Sequence, residues 1–317
     1  MVAAMGAFRP ALLLIVVVAS GCTLLDKFRP VHRTVARMTG PIGWYRVTQL
    51  LAIDSKDHVT IPPREKRSDD EPEQEDDEDY DLDTPLEERV QVRFGRQLSP
   101  LLLDPQTPCS YLDPEPEPGR PVFVLVHGIR GPGSEWVPVI PTLGAARPAA
   151  MFLFRWNVTQ NHSTIVGSLV TGINRIAACH PKGRTIVLAH SAGGVVASFA
   201  VSQLDIGPKE PAEVYTVASP LSGVGIHDKA EEQDGEYRFL RDLGGTKTGF
   251  AAAAPNVFVT HFRTHYPADD AMAPRFGREP NLKGIGVAGA TEIDLPQNLT
   301  HDGSLLFVAK QLLEGAR

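Results

Sequence analysis

Residues 185–194 read TIVLAHSAGG, an apolar run followed by a histidine, a serine and three small residues. The segment Thr185–Ala189 is continuously apolar and rich in β-branched residues, which is typical of a strand buried on both faces. Ser191 follows this strand and precedes a helical pattern that starts at about Gly193. A serine between a strand and a helix must occupy a very tight turn, where large neighbours would collide with both elements. The pattern therefore predicts that Ser191 projects its hydroxyl above the edge of a sheet.

Similar apolar runs on both sides of this stretch predict the rest of the sheet. Amphipathic segments separate them, at 163–178 and 193–204, and this alternation favours a parallel sheet covered by helices on both faces. The fold class is therefore expected to be a doubly wound, mostly parallel α/β sheet. Ligands bind such a sheet at the carboxyl ends of its strands. The other predicted strands are Val122–Val126, Met151–Phe154, Val214–Ala218, Val257–Phe262 and the alternating segment 90–94.

The charge of the chain is unevenly distributed. The 317 residues carry a formal charge of −7, but from Arg89 onward 21 Lys and Arg balance 21 Asp and Glu. The excess therefore lies upstream, where 11 of the 15 residues from Asp69 to Asp83 are acidic. A segment so poor in apolar groups cannot offset its ordering entropy, so residues 64–87 are expected to form a disordered linker. A calcium-binding loop is the alternative, although EF-hand ligand spacing is absent. The sequence has no basic patch of the kind that binds nucleic acid.

The N-terminus carries an export signal. Residues 1–22 contain a basic residue, an apolar stretch too short to span a bilayer and then small residues. Their end, Ala19-Ser20-Gly21-Cys22, resembles the lipobox of bacterial lipoproteins, in which the cysteine is acylated and becomes the new N-terminus. This implies a lipid-anchored protein on the outer or cytoplasmic membrane of a bacterium, exposed outside the cytoplasm. An uncleaved N-terminal anchor is the alternative. The sequence indicates no function for residues 23–63, and the globular domain is expected over residues 88–317.

The sequence around Ser191 resembles the lipase and esterase branch of the α/β-hydrolase fold. The Gly-x-Ser-x-Gly elbow of that family stands here as Ala189-His190-Ser191-Ala192-Gly193. His127-Gly128 after a predicted strand matches the oxyanion loop of the family. Ser219-Pro220-Leu221-Ser222-Gly223 resembles its Thr-Pro-x-x-Gly segment. The resemblance covers the chain from about Pro121 to the C-terminus.

The resemblance implies a Ser, acid, His triad in that chain order. His301 fits the base, because it lies in a polar loop before the C-terminal apolar helix, whereas His261 and His265 lie on a strand and at its exit. The amides of Ile129 and Ala192 are expected to form the oxyanion hole, and His127 to be structural. The family pattern Asp-x-Val-Val-Pro selects Asp270 as the acid by counting back from a proline. Asp269 is the alternative, with Asp228 and Asp294 in reserve.

These residues imply a serine hydrolase that cleaves carboxylic esters, including lipids, through an acyl-enzyme intermediate. Acyl transfer on the same triad is an alternative, and a non-catalytic, surface-attached binding module is another. No cofactor is expected, and no metal site, because HExxH and Cys-x-x-Cys spacings are absent. The oligomeric state is not indicated. With Cys22 acylated, Cys109 and Cys179 remain as a pair at the amino ends of the strands, so they are expected to form a disulfide or to remain buried thiols.

Overall fold

A computed structural model describes most of the predicted domain. The described residues are 42–47, 100–101, 103–112, 119–129, 133–158, 160–181, 183–208, 211–223, 250–266, 284–297 and 299–314. Cys22, the acidic run and the predicted strand at 90–94 lie outside these ranges. Among the described residues, no helix is both long enough and apolar enough to cross a bilayer.

The described strands form one eight-stranded sheet in the order β2-β1-β4-β3-β5-β6-β7-β8. Strands β3 to β8 are mutually parallel, and β1 is antiparallel to both β4 and β2. The predicted fold class, a mostly parallel α/β sheet, is confirmed. The strands are β1 Gly43–Arg46, β2 Pro100–Leu101, β3 Val122–Val126, β4 Ala150–Arg155, β5 Thr185–His190, β6 Ala212–Val217, β7 Val257–Arg263 and β8 Thr291–Asp294.

Helices pack on the sheet, and the one at His162–Cys179 does so through an apolar stripe along one face. The described helices are α1 Cys109–Leu112, α2 Ile140–Gly144, α3 His162–Cys179, α4 Ala192–Ala200 and α5 His301–Glu314. In α3 the buried residues Ile165, Leu169, Ile173 and Ile176 recur at helical spacing. The Asn161 side chain caps this helix by accepting the Ser163 amide at 2.9 Å. Helix α3 packs on α4, and α5 packs on α2.

The sheet begins earlier in the chain than the predicted start near Glu88. Strand β1 lies in the segment 23–63, which received no role, and it pairs with β4 from Gly43 opposite Arg155 to Arg46 opposite Phe152. Its partner on the other side, β2, starts at Pro100. The acidic run therefore lies in the chain between two paired strands of one sheet.

Strand β1 is held by the burial of Trp44. Its side chain is 3% exposed and contacts Phe154 on β4, with ring centroids 4.9 Å apart. A Cβ added to Gly172 of α3 would lie 2.0 Å from the Trp44 ring, so the indole rests directly on the helix backbone. Glycine at 172 therefore makes room for the tryptophan that attaches β1 to the domain.

We expect Trp44→Ala to lower the free energy of unfolding by about 3–5 kcal/mol, the usual cost of truncating a buried aromatic side chain. Phe258→Ala is the matched control, because Phe258 is 62% exposed, and it should change stability by less than about 0.5 kcal/mol. Urea unfolding of the chain from Thr23 measures both. Equal effects of the two substitutions would contradict the assignment of β1 to the core.

A disulfide joins Cys109 and Cys179 in this structure, with their Cα atoms 5.2 Å apart. It links the start of α1 to the end of α3 across 70 residues of sequence. Both cysteines lie at the amino edge of the sheet, because α3 ends where the chain turns to enter β5. The bridge therefore fastens the segment before β3 at the edge opposite Ser191.

Candidate active site

Ser191 lies on a strained turn between β5 and α4. Its φ of 53° and ψ of −127° are unusual for a residue with a side chain, and its amide donates to the Val217 carbonyl at 2.9 Å. A Cβ on Gly193 would lie 2.4 Å from the His127 carbonyl oxygen, so only glycine lets α4 approach the end of β3 this closely. The predicted turn is therefore present, with Ser191 at the carboxyl edge of the sheet.

The loop after β3 lies against this serine. A Cβ built on Gly128 would be 3.0 Å from the Ser191 Cβ and 3.5 Å from its Oγ. Within the described ranges, the amides of Ile129 and Ala192 donate no hydrogen bond, and Ala192 is the first residue of α4. Two backbone N–H groups without acceptors, next to a hydroxyl group, can bind an oxygen that becomes negatively charged.

His127 holds this loop in place. Its Nε2 accepts the Trp156 amide at 3.0 Å, so its Nδ1 carries the proton and donates to the Gly128 carbonyl at 2.5 Å. Trp156 Nε1 in turn donates to the His127 carbonyl at 3.1 Å. Burial lowers the pKa of His127, which keeps the ring neutral in this arrangement. Both ring nitrogens are therefore engaged by backbone groups, as a structural histidine requires.

His301 begins α5 beside the elbow. Its ring centroid is 4.4 Å from that of His190, whose Nε2 donates to the His301 carbonyl at 3.3 Å. Burial, and then the neighbouring His190, hold the pKa of His301 well below its usual value. A neutral imidazole at physiological pH is the form that can accept a proton. Among the described residues, no hydrogen bond yet joins His301 to the Ser191 Oγ; in ligand-free sites such bonds are often long.

The acid of the predicted triad falls outside the described residues, since Asp269 and Asp270 lie in the segment 267–283. Asp228 is outside them as well. Asp294, the other reserve, is described at the end of β8, where its Oδ1 accepts from Arg263 Nε at 2.8 Å. The Arg263 hydrogen bond, and then that of His265, lower the pKa of Asp294. This carboxylate is thus bound by Arg263 and His265 and does not reach His301.

Two further residues of the site were missed from the sequence. The Tyr266 hydroxyl hydrogen-bonds Nδ1 of His301, the ring nitrogen that faces the acid in a triad. Glu135 is buried, accepts the Gly128 amide at 2.7 Å and lies 3.8 Å from His190 Nδ1. Its carboxylate therefore fixes the peptide that precedes the Ile129 amide. The sequence around Glu135, a single acidic residue before a tryptophan, gives no indication of its contact with the Gly128 amide.

His261 is engaged within the sheet and not at the site. Its Nε2 accepts the Val287 amide at 3.0 Å, and its Nδ1 therefore donates to Thr216 Oγ1 at 2.7 Å. Thr216 is its direct neighbour across β6 and β7. Burial lowers the pKa of His261 to about 4.

This pKa predicts acid sensitivity of the fold. The unfolded chain takes up a proton on His261 near pH 6.5, whereas the folded protein does so only near pH 4. The contribution of neutral His261 to stability is therefore complete above about pH 6.5, and about 3 kcal/mol of it is lost as the pH drops to about 4. His261→Gln should lower the number of protons taken up on unfolding by up to one, and so reduce the slope of stability against pH. Urea unfolding between about pH 4 and pH 6.5 measures this slope. An unchanged slope would contradict the prediction.

The described residues contain no group of three or more His, Cys, Asp or Glu that could hold a metal ion.

No protein-family model matches the sequence, and no curated protein is significantly similar to it. Several solved structures are similar in their backbone. A bottromycin epimerase in complex with bottromycin A2 is 14% identical, with a TM-score of 0.41 over 63% of this chain and 93% of its own. Lipase B of Aspergillus fumigatus is 16% identical, with a TM-score of 0.42 over 61% and 51%. A Bacillus licheniformis lipase is 14% identical, with a TM-score of 0.40 over 64% and 92%. At these values the likeness does not indicate a shared reaction.

Proposed function

We propose that this protein is a serine hydrolase that cleaves carboxylic esters and is anchored to a bacterial membrane through Cys22. One observation carries the catalytic part. A strained serine stands at the carboxyl edge of the sheet, the neutral ring of His301 packs on His190 directly before it, and two backbone amides have no acceptor in the described part of the chain. These are a nucleophile, a general base and an oxyanion hole.

The reaction would proceed in two steps. His301 accepts the proton of Ser191 as the Oγ attacks the ester carbonyl, and the amides of Ile129 and Ala192 bind the resulting oxyanion. Collapse breaks the bond to the alcohol, which leaves with the proton from His301, and the acyl group stays on Oγ. Water then attacks the acyl-enzyme by the same route and releases the acid. The proposed acid, Asp270, would hold His301 in the required tautomer.

The test of this proposal uses the chain from Thr23, which retains β1. We expect a fluorophosphonate probe to label Ser191, and p-nitrophenyl esters of graded chain length to be turned over with an initial burst of p-nitrophenol. Peptide mapping locates the label. A folded protein that neither reacts with the probe nor turns over any ester would support the binding-module alternative instead.

The anchor can be tested separately. Cys22→Ser removes the thiol that is acylated, so we expect the protein to move from the membrane fraction to the soluble fraction after cell lysis. Ester turnover should be unchanged, since residue 22 lies 21 positions before Gly43 in the chain. Ser20→Ala is the matched control and should remain with the membranes. A Cys22→Ser protein that still sediments with membranes would indicate an uncleaved N-terminal helix.

A further inference from the structure

His190 is the one large residue in the serine turn, whose other members around Ser191 are alanine and glycine. It is the last residue of β5, and it is 2% exposed. The tight turn itself favours small residues and does not require a histidine. The contacts of the ring show what this histidine does.

The two ring nitrogens of His190 face two different parts of the site. Nε2 donates to the His301 carbonyl at 3.3 Å, and the same carbonyl accepts Ser304 Oγ at 2.6 Å. Nδ1 lies 3.8 Å from Oε1 of Glu135, the oxygen that accepts the Gly128 amide at 2.7 Å. His190 therefore lies between the backbone of the base and the carboxylate that holds the loop after β3.

The Glu135 carboxylate is buried and needs a positive charge beside it, because an ionised carboxyl group without a cation is strongly destabilised in the interior. Within the described ranges, His190 is its one ion-pair partner. Two other histidines lie near the pair, His127 and His301, and burial lowers the pKa of both, which keeps them neutral. His190 is therefore the group that can balance the carboxylate.

The positions of the ring protons agree with a positive charge on His190. Nε2 carries one proton, because a carbonyl oxygen only accepts. Nδ1 faces a carboxylate oxygen, which attracts a second proton and would repel a nitrogen lone pair. With both protons the ring is an imidazolium, and its pair with Glu135 is neutral overall.

The Glu135 carboxylate is close to the place where ester cleavage would create a second negative charge. A Cβ built on Gly128 would lie 3.5 Å from the Ser191 Oγ and 3.7 Å from Glu135 Oε1, so these two oxygens are no further apart than the two distances together. The oxyanion forms on the carbonyl that Oγ attacks, and an unbalanced carboxylate at this range would disfavour it. A positive charge on His190 removes this penalty.

From these contacts we infer that His190 is a positioning residue: as an imidazolium it balances Glu135, so that the carboxylate can hold the loop after β3 without opposing the oxyanion. The inference rests on the proposed function, because it requires that Ser191 attacks an ester. His190 acts through Glu135, and the residue before the nucleophile thus serves the oxyanion hole.

Nitrogen NMR of isotope-labelled histidine measures the charge directly in the chain from Thr23. At about pH 7.5 an ordinary histidine ring is neutral. We expect one ring to show the imidazolium signature at this pH, and the same ring to become neutral in Glu135→Gln, where the negative partner is gone. A wild-type spectrum without an imidazolium ring that responds to this substitution would overturn the inference.

A double-mutant cycle measures the effect on catalysis. His190→Gln keeps a donor for the His301 carbonyl but removes the charge. We expect it to lower kcat for a p-nitrophenyl ester about tenfold to a hundredfold and to change KM less than about threefold. Adding Glu135→Gln, which keeps an acceptor for the Gly128 amide, should restore most of this loss, because the unbalanced charge is removed. A trifluoromethyl ketone, whose adduct with Ser191 is an oxyanion, should lose affinity in His190→Gln in proportion to kcat/KM.

The outcomes separate this inference from a packing role of His190. A double variant no more active than His190→Gln would overturn the inference, and so would wild-type kinetics of His190→Gln. If His190→Gln does not fold, the ring spectra of the wild type and of Glu135→Gln decide the question. A folded wild-type protein that no fluorophosphonate labels and that turns over no ester would overturn the proposed function itself, and the inference with it.

Discussion

Ser191→Ala is expected to lower kcat by about 10⁴–10⁶, because no other group can replace the attacking oxygen once the hydroxyl is removed. The fold should be unaffected, since in the described part of the chain the Ser191 Oγ makes no hydrogen bond. Steady-state turnover of a p-nitrophenyl ester and urea unfolding measure the two properties. Activity within threefold of the wild type would refute the assignment of the nucleophile.

A second substitution at the same position distinguishes the loss of the nucleophile from the strain of the backbone. Ser191→Gly should be as inactive as Ser191→Ala, but it should unfold at higher urea concentration, because glycine adopts a φ of 53° without the cost of about 1 kcal/mol that a side chain imposes. Equal stability of the two variants would show that the turn carries no such cost.

Asp270→Asn is expected to lower kcat by about 10⁴, because an amide in place of the carboxylate stabilises the wrong tautomer of His301. Asp269→Asn is the matched control and should cost less than about tenfold, since two anions beside one imidazole would repel each other. Steady-state kinetics with a p-nitrophenyl ester compares them. The reverse ranking would transfer the role to Asp269.

Tyr266 supplies a further control, because its hydroxyl hydrogen-bonds Nδ1 of the same ring. Tyr266→Phe should cost about tenfold if the tyrosine only helps to orient His301. If instead Tyr266→Phe is severe and both aspartate variants are mild, the ring is held by the tyrosine and not by a carboxylate of this loop. That outcome would refute the proposed acid.

The central strands could be predicted from the sequence because β3, β4 and β5 are buried on both faces and β6 and β7 on most of their residues. Val122–Val126 was predicted with its observed bounds, and the predicted start of β5 and of β7 is also observed. Such strands leave continuous apolar runs that need no knowledge of their neighbours. The serine turn was predictable for a similar reason, since its small neighbours follow from local geometry alone.

The edge strands and the supporting side chains were not predictable in this way. Strand β1 is four residues long, and Gly43 pairs with a residue 112 positions further along the chain. Strand β8, Thr291–Asp294, is largely exposed and has no apolar run. Glu135 acts through a contact with Gly128, seven residues earlier, and Tyr266 through one with His301, 35 residues later, and neither contact is marked by an apolar pattern. Local patterns of apolar residues contain no information about such pairings.

The separation between β1 and β4 also determines the order in which the sheet can be assembled. During synthesis β1 emerges first, but β2, its neighbour on one side, is only two residues long, and β4, its neighbour on the other side, forms more than a hundred residues later. Closing so long a loop is slow, so β1 is expected to join among the last strands. Until then β4 presents an unpaired row of N–H and C=O groups, an edge to which another chain could add. The stage at which this protein is most prone to self-association is therefore the interval before its N-terminal strand docks.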